Sequence, residues 1–100
     1  MTREELVALF EKHSDDEYIE FTRLPKDLRV SSRKDLCGFI LLDKLVPGKF
    51  EIVSSAEHDK IWLGVEIDDL AGVATEEDVK NLLRCGVRMD SSVESLAMFI

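Results

Sequence analysis

Apolar positions along this 100-residue chain change from helical spacing to strict alternation and back. Leu6, Leu9, Phe10 and His13 recur at three- and four-residue intervals behind Thr2-Arg3-Glu4-Glu5. That tetrapeptide is a capping box, in which Thr2 accepts from the Glu5 amide and Glu5 reaches back, so residues 3–13 are expected to form an amphipathic helix. The acidic turn Ser14-Asp15-Asp16-Glu17 ends it. Aromatic and β-branched residues over Tyr18–Leu24 suit an edge strand cut off by Pro25.

Ser32-Arg33-Lys34-Asp35 is a second cap signature and Pro47-Gly48 a stop. Between them, Leu36, Cys37, Phe39, Ile40, Leu41, Leu42, Leu45 and Val46 are apolar on nearly every side, which predicts a central helix over 33–45, buried on most of its surface. Gly38 and the unbroken run leave a buried strand at 36–42 as the alternative. Phe50–Ser54 and Ile61–Ile67 read as strands of a hairpin around residues 55–60. In the second, Ile61, Leu63, Val65 and Ile67 share one face while Trp62, Gly64 and Glu66 share the other.

Thr75 is placed to cap a helix over 76–85, with Glu76, Glu77 and Asp78 at its positive end, Val79, Leu82 and Leu83 as its stripe and Gly86 as its left-handed stop. Val87–Met89 and Leu96–Ile100 suit a final hairpin around Asp90-Ser91-Ser92, and helical spacing of Val93, Leu96, Ala97 and Ile100 leaves a C-terminal helix as the alternative. About three helices and about five strands in mixed order predict one α+β domain over residues 1–100, its helices packed on a mostly antiparallel sheet.

The composition fits that picture. An apolar fraction of 45% exceeds what a chain that stays unfolded carries. The longest uncharged apolar stretch, Leu36–Leu42, is far short of the roughly 20 residues a membrane span needs. The start Met1-Thr2-Arg3-Glu4-Glu5 lacks the basic-then-apolar order of a signal peptide, so a cytoplasmic setting is expected, with Cys37 and Cys85 as reduced, buried thiols.

Charge is distributed unevenly. Of the net −8, residues 1–50 contribute −1 and residues 51–100 contribute −7. Arg23, Lys26, Arg29, Arg33 and Lys34 face only Asp27 across residues 23–34, while Glu66, Asp68, Asp69, Glu76, Glu77 and Asp78 have no base among them. The acids either stabilise helix starts and meet bases inside the fold, or steer a partner with a basic site. Broad nucleic-acid binding through the basic segment has to overcome the overall negative charge.

Catalytic signals are sparse. The five glycines are scattered rather than gathered in a phosphate loop, and the paired serines at 31–32, 54–55 and 91–92 sit where caps are needed. Glu57-His58-Asp59 is the one place where acids flank a possible base, and it frames a small hydrolase or metal-enzyme alternative. Consecutive side chains point apart, so a solvated loop explains the triplet more simply. His13 suits a capping or surface role at the end of the first helix.

Val46-Pro47-Gly48, Ser55-Ala56-Glu57-His58-Asp59, Ala74-Thr75-Glu76-Glu77-Asp78-Val79 and Arg84-Cys85-Gly86-Val87 together resemble small uncharacterised proteins carried by bacteriophages and prophages. The resemblance covers most of residues 46–100 and implies a mobile-element origin and a role inside a bacterial host cell, with no activity to transfer. The expectation is a small acidic accessory protein, without cofactor or metal, that binds a basic protein partner through Glu66, Asp68, Asp69, Glu76, Glu77 and Asp78. An oligomerising component that uses the apolar helix 36–46 is the alternative of a different class.

Overall fold

The computed structural model describes residues 1–16, 19–48 and 51–99. Helix α1 (Arg3–His13) starts at the expected box: Thr2 Oγ1 accepts from the Glu5 amide at 3.2 Å and the Glu5 carboxylate accepts from the Thr2 amide at 2.9 Å. A later helix, Glu76–Arg84, repeats the device with Thr75 and Asp78 at 3.2 and 2.9 Å. Each box satisfies two amides that a first turn leaves without partners. That later helix ends where Gly86 takes φ +85°, a left-handed conformation that glycine adopts without steric cost.

Helix α2 (Lys34–Leu45) forms as a helix rather than the alternative strand. Its Gly38 lies so close to Val87 and Cys85 that an added Cβ would stand 3.1 and 3.3 Å from their side chains. The expected cap is absent: Arg33 makes no side-chain capping bond, while Ser31 Oγ accepts from the Arg33 amide at 3.1 Å and Asp35 accepts from the Leu36 amide at 3.0 Å. Cys37, Leu41 and Leu42 are buried, but Leu36 and Ile40 are 43% and 44% exposed, so α2 is covered on one side only.

Strands β1 (Val53–Ala56), β2 (Lys60–Leu63), β3 (Arg88–Asp90) and β4 (Ser95–Phe99) form one antiparallel sheet in the order β1-β2-β4-β3. The chain leaves β2 for two helices, α3 (Ile67–Val73) and α4 (Glu76–Arg84), runs back as edge strand β3, and turns into β4, which fills the place beside β2. In antiparallel register, paired residues share a face. Ile61 pairs with Met98 and Met89 with Leu96, and these face the helices. Leu6 and Phe10 of α1, Leu42 of α2, Leu70 of α3 and Val79 and Leu82 of α4 pack onto them as one core.

The described residues thus form a small α+β domain with four helices and four strands, where about three and five were expected. The edge strand expected over Tyr18–Leu24 is replaced at Phe21–Arg23 by a single 3₁₀ turn, with Tyr18 itself outside the described residues. There Leu24, which donates to the Phe21 carbonyl at 3.0 Å, drops into a second small cluster with Cys37 and Cys85. The strand expected from Phe50 begins instead at Val53, and Phe50 lies outside the described residues. The strand expected over Ile61–Ile67 pairs only to Leu63, although Val65 and Ile67 keep the buried side of its alternation. Ile67 then opens α3, a helix not anticipated in the sequence. The final hairpin forms as expected, with β3 and β4 joined through residues 91–94. No helix among the described residues is long and apolar enough to cross a membrane.

Candidate functional site

The six expected docking acids are placed by the first turns of two helices. Asp68 and Asp69 lie in the first turn of α3, with Glu66 as its N-cap, and Glu76, Glu77 and Asp78 open α4. Four of the six are engaged within the chain. The Arg3 guanidinium donates to both Asp68 carboxylate oxygens at 3.0 and 3.1 Å and to Glu94 at 3.1 Å. Glu76 Oε2 lies 2.7 Å from His13 Nε2 and 3.6 Å from Lys12 Nζ, and the His13 contact leads in holding its carboxyl below the usual range. Glu77 pairs with Arg84 at 3.2 Å, and Asp78 closes the capping box. These cations come from α1 and α4, not from the basic segment 23–34. Glu66 and Asp69 are exposed and have no partner among the described residues.

The loop Glu57-His58-Asp59 is exposed, and the Glu57 amide donates to the Lys60 carbonyl at 2.7 Å across the hairpin end. His13, expected in a capping or surface role, is buried at 7% exposure, and Glu76 supplies a polar partner for its ring. Cys37 and Cys85 are free and buried, as expected. Burial, with Cys37 beside it, pushes the Cys85 thiol up to about 12, so it stays protonated and a poor nucleophile. Among the described residues, no group of three or more His, Cys, Asp or Glu side chains is arranged to hold a metal ion.

A different constellation lies on the sheet face away from the helices. Lys60 pairs with Phe99, Trp62 and Arg88 both pair with Ala97, and Asp90 pairs with Ser95, so these side chains share that face. Asp90 accepts from Lys60 Nζ at 2.8 Å and from Trp62 Nε1 at 3.0 Å, and Ser92 Oγ donates to its other oxygen at 2.6 Å. Lys60 Nζ stands 4.9 Å from the Trp62 ring centre and 5.7 Å from that of Phe99. Phe99 is 66% exposed, whereas Ala97 beneath this network is only 4% exposed.

The Lys60 ammonium, followed by the Ser92 hydroxyl and the Trp62 indole, holds the Asp90 carboxyl far below the usual carboxylate range. A carboxyl depressed on folding stabilises the fold above its unfolded pKa, near 4, and that contribution fades as pH falls toward the folded value. Asp90→Asn should therefore be clearly less stable than the parent chain at pH 7, with a smaller difference at pH 3. Urea unfolding at the two pH values checks this; an equal or larger difference at pH 3 would contradict it.

Beside this face, the start of α2 and the β3–β4 edge enclose a cleft of about 420 Å³. Its walls carry Arg33, Lys34 and Arg88 against the single acid Asp35, and its floor is Cys85, Gly86 and Met98, with Phe99 at its edge. Arg33 is engaged with Asp35 at 3.2 and 2.7 Å, but Lys34 and Arg88 have no partner among the described residues. Arg33 and Lys34 belong to the basic segment 23–34, whereas Arg88 and Phe99 lie far along the chain and only the sheet order brings them beside it. No protein family, curated protein or solved structure matches this chain.

Proposed function

We infer that the protein is a non-enzymatic binding protein that captures an anionic ligand in the cleft between α2 and the β3–β4 edge. The observation that supports this reading is the sign of the cleft: three bases against one acid, two of them unpaired, on a chain of net charge −8. Surface cations on such a chain have many acids to pair with, and Arg3, Lys12, Arg33, Lys60, Lys80 and Arg84 do so. Lys34 and Arg88 instead stand over a concavity whose volume falls within the roughly 300–1,000 Å³ of small-ligand sites. The mouth of α2 adds to them, since a helix start carries partial positive charge.

Pyrophosphate, titrated into the labelled chain, is expected to shift the amide resonances of residues 33–35 and 86–88, and Lys34→Glu with Arg88→Glu should abolish those shifts. Shifts that ignore the double substitution, or none at millimolar pyrophosphate, would sink the reading.

A second reading, docking of a basic protein partner on the acidic side, is favoured by the exposed and unpaired Glu66 and Asp69. It predicts that a lysine-rich peptide binds the parent chain and loses that binding in Glu66→Lys with Asp69→Lys; retention in the double variant would discard it.

A further inference from the structure

We propose that the ligand of the α2–β3–β4 cleft is a nucleoside phosphate, its phosphate oxygens held by Lys34 and Arg88 and its base stacked on Phe99. This rests on the anion-binding reading above and adds the identity of the ligand.

Phe99 is the first ground. Among the exposed large apolar side chains described, it is the one aromatic and the most exposed, at 66%. It lines both the 420 Å³ cleft and an adjoining hollow of about 230 Å³ that also holds Lys60 and Arg88. An aromatic ring left in water beside unpaired cations is a stacking platform for a planar base, and every base has a face to offer it. Lys60, 5.7 Å from the ring centre and fixed by Asp90, braces the strand pair on which Phe99 stands.

The cations are the second ground. Lys34 belongs to the first turn of α2 and Arg88 to edge strand β3, so two rigid elements present them to one space. Arginine offers a fork that matches two phosphate oxygens, and lysine a compact point charge. The neutral floor of Gly86, Met98 and protonated Cys85 neither repels an anion nor competes for the bases.

The overall charge selects the size of the ligand. With a screening length of about 8 Å at physiological salt, a small phosphate in the cleft is governed by the charges around it. A polyanion gains little from counterion release at the two or three phosphates that these bases can reach. A mononucleotide is thus favoured over a nucleic-acid strand.

The test compares ADP, pyrophosphate, adenosine and an oligothymidylate on the full chain, by calorimetry and amide-shift mapping at low salt. ADP should shift residues 34, 86, 88 and 99 and bind at least about fivefold more tightly than pyrophosphate, the lower end of what one stacked base contributes. Phe99→Ala should erase that advantage and leave pyrophosphate binding unchanged, and Phe99→Trp should restore it. Lys34→Glu with Arg88→Glu should weaken ADP at least about tenfold, as expected for the loss of two charge-assisted contacts. Pyrophosphate binding with no preference for ADP overturns the nucleoside assignment and leaves the anion cleft standing. If neither binds, both are overturned. Tighter binding of the oligothymidylate than of ADP overturns the mononucleotide in favour of a strand.

Discussion

Gly64→Ala is expected to cost roughly 2–3 kcal/mol of stability, as overpacking against an unyielding neighbour does. Gly64 follows β2, and its amide donates to the carbonyls of Glu51 and Ile52 at 3.1 and 3.3 Å, which draws the chain entering β1 directly across it. A Cβ at this position would overlap the Glu51 carbonyl oxygen. The obstacle is backbone, so no side-chain rotation relieves it. The open end of the β1–β2 hairpin must shift, which weakens those hydrogen bonds and the Val53–Leu63 pairing beside them. Gly72 supplies the contrast. It sits in α3 with nothing within 4 Å of an added Cβ. Gly72→Ala should therefore be neutral or stabilise by up to about 1 kcal/mol, the ordinary preference of a helix for alanine. Urea unfolding followed by circular dichroism would show Gly64→Ala lowering the midpoint and Gly72→Ala leaving it unchanged or raising it. A Gly64→Ala midpoint equal to that of the parent chain would refute the close approach.

What the sequence revealed depended on how far apart the deciding residues lie. The starts of α1 and α4 are local: the box at Thr2–Glu5 and the Thr75 cap both form as expected, and Asp78 closes a second box at Thr75 that was not anticipated. The alternation of Ile61, Leu63, Val65 and Ile67 correctly marks a buried side, yet pairing stops at Leu63. Burial alternation reports an extended chain over a core, and β1 begins only opposite that point. Ile67, Leu70 and Ala71 have helical spacing, but one and a half turns interrupted by Asp68-Asp69 are too few for a periodicity to stand out. Which acids find a base inside the fold was illegible for a related reason. Counting along the chain sets Asp68 and Glu76 among acids, whereas Arg3 and His13 reach them from 65 and 63 residues away. The cleft is the extreme case: Lys34, Arg88 and Phe99 become neighbours only once β4 inserts between β2 and β3. No local pattern encodes that insertion.

The helix hidden from the sequence is also where a single truncation should do the most damage. Leu70→Ala is expected to cost about 3–4 kcal/mol, within the range measured for fully buried leucines. At seven residues, α3 is far below the length at which a helix holds itself together in water. Two polar ties reach it, from the Met1 amino group to the Ala71 carbonyl at 3.1 Å and from Arg3 to Asp68. The Arg3–Asp68 pair is largely exposed, and exposed ion pairs contribute little. What holds α3 is apolar: Ile67, Leu70 and Ala71 are 3%, 0% and 2% exposed, and Leu70 packs in the same core as Leu6, Phe10 and Val79. Removing the Leu70 side chain opens a cavity in the core that α3 shares with α1 and α4, and α1 packs against both of the others. For a domain of this size, with total stability of order 5–15 kcal/mol, that is a large share. Arg3→Ala, by contrast, should leave the unfolding midpoint close to that of the parent chain. Hydrogen exchange separates the two accounts further. In Leu70→Ala the Ala74 amide, which donates to the Leu70 carbonyl at 2.8 Å, should lose protection before β2 and β4 do. If Arg3→Ala proved the more destabilising of the two, α3 would be held by its charges and the apolar anchor would be wrong.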